Sequence, residues 1–215
     1  KYPYKKYELD KNIPIYRHFK KNLLPARIGF YNVYLAKEYE RIGLKLYEKY
    51  IKKYGKPDLI HAHDIRFGIY VANAINKKYC VPFLTTECSS ETAENTFPSI
   101  LQKSSISILK KAKVVTACSK PFAKIFKKKL KLKDIKVDTI YPVLSDDISK
   151  NLILKKNKNK TFTFITVNRL DKNKNIQLII NSFIKGFENK NAVLKIIGNG
   201  PEIDKLINIS KTSKL

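Results

Sequence analysis

Short apolar runs alternate with helix-patterned stretches along most of this chain, and that alternation restricts the fold more than any other feature. DLIHAHD (58–64), VPFLTTE (81–87), KVVTACS (113–119) and VDTIYPV (137–143) are each short enough for one buried strand. Helical patterns separate them, over 65–79, 99–111 and 119–132. A strand, a helix and a second strand within about thirty residues form a βαβ unit, with parallel strands and a right-handed crossover. The 119–132 helix has Ser119 as N-cap and Pro121 in its first turn. TFTFITV (161–167), a helix over 173–187, a strand over 192–197 and a helix from Pro201 repeat the unit. The chain is therefore expected to be α/β, with two Rossmann-like, doubly wound domains. They span 1–145 and 161–215, joined by a polar Lys/Asn-rich linker over 146–160. Upstream, 25–54 carries an amphipathic helical face, and 1–24 is expected to be irregular with at most one short strand.

In open parallel sheets, ligands bind outside the carboxyl ends of the strands. Arg169 and Lys174 follow the 161–167 strand and precede a helix, which suits an anionic ligand, most simply a phosphate. The alternative is a pair of solvated charges, because 44 residues are Lys or Arg. Gly198 and Gly200 in GNGP follow the next strand. The third Gly of a dinucleotide fingerprint is absent, so a tight turn before a helix remains the simpler explanation. His63 and Asp64 end one strand, and Glu87, Cys88, Ser89 and Ser90 end the next. Neighbouring strand ends can share a cleft, with Cys88 as a nucleophile and His63 as its base as one arrangement. The alternative is a loop whose Ser and Thr satisfy backbone groups. His61 and His63 point to one face, but with His18 as the only other His no metal site is expected.

The net charge of +26 raises nucleic acid as a partner. The charge is almost all Lys, with only five Arg, and it is scattered rather than gathered in one arm. Lys, Asn, Ile, Tyr and Phe share AT-rich codons, so composition bias accounts for much of it, and no nucleic-acid partner is expected. An attraction to anionic membrane surfaces needs no special site. The basic amphipathic stretch 119–133 fits either membrane docking or an outer helix on its own sheet. No signal-peptide pattern opens the sequence, and three Cys form no C-x-x-C pair, which points to a reduced, cytoplasmic setting; the basic charge adds a peripheral place on the inner face of the cell membrane as one option.

Three stretches together resemble glycosyltransferase family 4, the retaining GT-B enzymes that use nucleotide sugars. PDLIHAHD with PFLTTE and the following Ser pair is similar to the acceptor-domain block. KKAKVVTACSKPFAKIF (110–126) resembles the strand and helix that follow it, and FITVNRLDKNKN with VLKIIGNGPE resembles the start of the donor domain. The resemblance implies that Arg169 and Lys174 bind the donor diphosphate, with Gly198 and Gly200 beside the nucleotide. It implies that Glu87, Ser89 and Ser90 line the acceptor side, with His63, Asp64 and Cys88 as catalytic candidates. Cys88 takes a place where the family usually has His. No cofactor and no metal are implied, the nucleotide sugar being a co-substrate. The acceptor would be a glycan or lipid-linked glycan of polysaccharide biosynthesis. The sequence looks like a middle piece of a longer enzyme, without the Gly-rich first loop and the later pair of Glu. The alternatives are a non-catalytic binding protein of the same fold on anionic membrane, and nucleic-acid binding.

Overall fold

The computed structural model describes residues 5–19, 29–94, 96–144 and 161–212, with the side chains of Ser90 and Thr212 excepted. The expected linker over 146–160 and the expected helix start at 25–28 lie outside these residues, as does the side chain of Ser90. The chain divides into two compact units, Lys1–Leu144 and Ser145–Leu215.

The first unit opens with a hairpin, β1 (Tyr7–Asp10) and β2 (Ile13–Tyr16), paired antiparallel with Leu9 opposite Pro14. This corrects the expectation of an irregular start. Lys11 and Asn12 both have positive φ, 47° and 68°, as a two-residue hairpin turn requires. Pro14 is tolerated because a two-stranded ribbon is all edge. Helix α1 (Gly29–Tyr54) follows. It crosses α2 (Gly68–Tyr79) where Gly43 lies, and a Cβ there would fall 2.3 Å from Val71 Cγ1.

The strands β3 (Ile60–His63), β4 (Phe83–Glu87), β5 (Val114–Ala117) and β6 (Val137–Thr139) form one parallel sheet in that order. Between them run α2, the short α3 (Ser90–Ala93), α4 (Ser99–Leu109) and α5 (Lys120–Lys129). The stretch 88–98, between the expected strand 81–87 and the expected helix 99–111, thus contains a helical turn, and β6 ends earlier than 143. Ser119 caps α5 as expected, its Oγ accepting Phe122 N–H at 3.3 Å.

Paired residues of parallel strands share a face. Ala62, Phe83, Val115 and Ala117 lie on the face covered by the helices, where Ile69, Leu101, Leu109 and Phe126 complete the core. The opposite face carries His61, His63, Thr86, Val114 and Thr116, with both histidines exposed. Across it runs a polar chain. His61 Nε2 lies 2.7 Å from Thr86 Oγ1, which lies 2.7 Å from Thr116 Oγ1, and Thr116 donates to Thr85 O.

The second unit is a βαβα segment: β7 (Phe162–Val167), a 3-10 turn (Lys172–Lys174), α6 (Ile176–Phe187), β8 (Ala192–Ile197) and α7 (Ile203–Thr212). Its strands pair parallel. Its buried core comprises Leu170, Ile176, Ile180 and Leu206.

Candidate functional site

In the first unit the ends of β3 and β4 converge on a cavity of about 210 Å³ lined by Asp64, Arg66, Phe67, Glu87, Ser89, Glu91 and Phe97 among others. Three of the expected residues, Asp64, Glu87 and Ser89, do meet there. Glu87 is fully buried. Its Oε2 accepts Ile65 N–H at 2.8 Å and its Oε1 accepts Ser89 N–H at 2.9 Å, so one carboxylate ties the turn after β3 to the turn after β4. Burial pushes its pKa up to about 7 against the pull of the two amides, and the charges of Asp64 and Glu91 add to the rise.

Asp64 is committed to the backbone. Its Oδ1 takes the N–H groups of Arg66, Phe67 and Gly68 at 2.7, 2.8 and 3.3 Å, at the entrance to α2. Asp64 itself has φ 69°, and Gly68 packs where a Cβ would be 2.2 Å from His63 O. This tight turn is the local reason for the D-x-x-x-G spacing.

His63 does not line the cavity. It is exposed on the opposite face of the sheet, its ring 4.2 Å from that of His61. The register explains this: His63 pairs with Thr86, so Glu87, one residue on, points the other way. Cys88 does not form the expected pair with His63 as its base. No hydrogen bond joins it to His63 among the described residues, and burial, reinforced by Glu87, Cys118 and Asp64, pushes its thiol pKa up.

Arg66 and Glu91 were not anticipated. Arg66 Nη1 pairs with Glu91 Oε1, and its Nη2 donates to Asn32 Oδ1 at 2.7 Å. A signal was present: one of only five arginines stands two residues after the strand-end His-Asp.

In the second unit the loop after β7 carries Arg169 and Lys174. Arg169 is largely exposed, and its Nε meets Asp171 Oδ2 at 3.2 Å. Lys174 is exposed and makes no ion pair among the described residues. Both precede the N-terminus of α6, where Asn175 takes the left-handed conformation (φ 50°) and supplies no side-chain cap. The first-turn amides of α6 therefore lack the side-chain acceptor that usually closes a helix start.

Gly198 and Gly200 are explained by packing. A Cβ on Gly198 (φ 154°) would lie 1.8 Å from Asn168 O, and one on Gly200 would lie 2.3 Å from Leu170 O. The two loops are laced together: Asn168 N–H donates to Ile197 O at 3.0 Å, Leu170 N–H to Asn199 O at 2.9 Å, and Glu202 N–H to Leu170 O at 3.0 Å. The glycines thus hold the Arg169 loop in place by close backbone approach.

Helix α5 buries Ala123 and Phe126 against its own sheet, leaving Lys120, Lys124, Lys127, Lys128 and Lys129 outward. Among the described residues no helix is long and apolar enough to cross a membrane, and no three metal-binding side chains come together.

No curated protein sequence matches the chain. Among solved structures it resembles the catalytic domain of starch synthase IV from Arabidopsis thaliana bound to ADP and acarbose, at 13% identity and a TM-score of 0.61. That likeness covers 97% of this chain and 57% of the other, so the chain spans little more than half of that catalytic domain. It gives the fold as GT-B. The profile of Glycosyltransferase Family 4 matches residues 14–147, which is more than half of the chain. The chain belongs to glycosyltransferase family 4.

Proposed function

We propose that the chain is part of a glycosyltransferase that moves a sugar from a nucleotide donor to a glycan or lipid-linked glycan with retention of configuration. The observation that carries the donor side is the arrangement after β7: Arg169, Lys174 and the amides at the start of α6 gather on one loop that the 198–200 turn holds fixed. That combination suits a diphosphate. Arg169 spends its Nε on Asp171, and its terminal nitrogens have no partner among the described residues, so a fork remains for phosphate oxygens. Charge developing on the leaving diphosphate would be met by these two cations. Glu87, Ser89 and the Arg66–Glu91 pair would line the acceptor side, with the cavity admitting part of one sugar ring.

Titration of the full-length protein with ADP, UDP and GDP tests this. Arg169→Ala should weaken the preferred nucleoside diphosphate about 10- to 100-fold, the loss of roughly 1.5–3 kcal/mol expected for a charged hydrogen-bond pair. Equal affinity in both proteins removes Arg169 from the site.

Contact with an anionic membrane would be electrostatic, because α5 has already buried Ala123 and Phe126. Binding to phosphatidylserine vesicles should fall steeply between about 0.05 and 0.5 M salt, as screening shortens the reach of surface charges. Cosedimentation that persists at the higher salt would instead indicate inserted apolar groups.

A further inference from the structure

Cys88 and Cys118 follow directly on the ends of β4 and β5. Glu87 pairs with Ala117 in the parallel register, and Cys118 N–H continues the ladder to Glu87 O at 3.3 Å. Extended one residue past its last pair, this register sets Cys88 opposite Cys118. Neighbouring strands lie about 4.8 Å apart, inside the span of about 4.4–6.8 Å that a disulfide bridges between Cα atoms. By alternation the two thiols extend the face that carries Thr86 and Thr116. Those hydroxyls approach to 2.7 Å, so side chains at this register do meet across β4 and β5. The charge effect of Cys118 on Cys88 also reflects their nearness. Both cysteines are free, Cys88 exposed and Cys118 half-buried. Cys80, exposed at the end of α2, pairs with neither strand end and serves as an internal comparison.

We propose that Cys88 and Cys118 form a dithiol site that closes reversibly to an intrachain disulfide, tying the turn after β4 to the entrance of α5. A low-molecular-weight disulfide such as glutathione disulfide is the oxidant. The thiolate of one cysteine attacks it, forming a mixed disulfide and expelling one small thiolate. The second cysteine, as thiolate, attacks the protein sulfur of that mixed disulfide and expels the other. The two protein thiols lose two electrons and two protons, and the small disulfide becomes two thiols. The raised pKa of Cys88 keeps it protonated at neutral pH, so closure quickens as pH rises. Cys88 lies between Glu87 and Ser89, which share a hydrogen bond, and Cys118 precedes the N-cap Ser119. Closure therefore fixes one wall of the cavity. An effect on sugar transfer rests on the function proposed above, whereas formation of the bond does not.

The reduced full chain, incubated with glutathione disulfide near pH 8.5, is alkylated and mapped by mass spectrometry. Free thiols should fall from three to one, with a cross-linked peptide joining 88 to 118 and Cys80 alkylated. Dithiothreitol should restore all three. Cys88→Ser should leave Cys118 with a stable glutathione adduct and no cross-link. Stable adducts on both wild-type cysteines, a bond through Cys80, or three unchanged thiols each overturn the site. Transfer assays on the full-length enzyme separate the two claims: a mapped 88–118 bond with unchanged transfer keeps the dithiol and removes its link to the acceptor side.

Discussion

Raising the pH from about 5 to about 8 should destabilise the 1–144 unit through Glu87 by about 3 kcal/mol. The sign follows from burial. The folded carboxyl titrates at about 7, the unfolded one near 4.5. Between those values the folded state holds a proton that the unfolded state has released, so stability is full below about 4.5 and is lost as pH rises towards 7. His61 works the other way in an overlapping window. Its pKa is lowered, by burial first and by His63 second, so its contribution improves as pH rises through the ordinary value of 6.5. The clean readout is therefore the difference between wild type and Glu87→Ala. The variant strands the amides of Ile65 and Ser89, a cost of about 1–3 kcal/mol for each, and it removes the titration. The two stability curves should lie far apart at low pH and converge at high pH. All thirteen tyrosines lie within 1–144, so tyrosine fluorescence during urea unfolding follows this unit alone. Curves that stay parallel across the range would show that Glu87 is not the titrating group.

The alternation of strands and helices was legible because period-2 and period-3.6 patterns survive a Lys-rich composition. The apolar positions of β4, β5, β7 and β8 differ in kind from their surroundings. The hairpin was not legible. YELDKNIPIY is only half-buried on both strands, and Pro14 argues against a strand until the ribbon is seen to be all edge. The short α3 hides in a polar loop for a similar reason, having no apolar face long enough to show a period.

At the site, chain position was readable and register was not. His63 and Glu87 both end strands, and sequence allowed them one cleft. Only the pairing of His63 with Thr86 shows that they point to opposite faces. Nor does TTE announce that its carboxylate is fully enclosed, since burial there depends on α2, α3 and the 64–68 turn closing over it. Lysine abundance obscured a better indicator. Arg17, Arg41, Arg66 and Arg169 each pair with a carboxylate, with Glu8, Glu38, Glu91 and Asp171 respectively. Lys78, Lys136 and Lys205 pair as well, with Glu48, Asp138 and Glu202, but they are a small share of the described lysines.

Gly198→Ala should unfold the second unit or come close to it, with a loss of about 3–5 kcal/mol from backbone strain and overpacking together. The new methyl would meet Asn168 O at 1.8 Å, and a carbonyl cannot swing aside as a flexible side chain can. Movement of 168 drags Leu170, whose side chain is one of four buried core residues and whose backbone bonds to Asn199 and Glu202. The loop that would hold the diphosphate and the core of the unit thus share one residue. Arg169→Ala touches neither the core nor the interloop hydrogen bonds, since among the described residues the side chain meets only Asp171 of its own loop. The two variants should therefore separate. Gly198→Ala should lose nucleotide binding together with hydrogen-exchange protection of the β7 and β8 amides. Arg169→Ala should lose binding with protection intact. If Gly198→Ala kept its protection and lost only binding, the glycine would be there for the ligand rather than for the fold, and the packing explanation would fail.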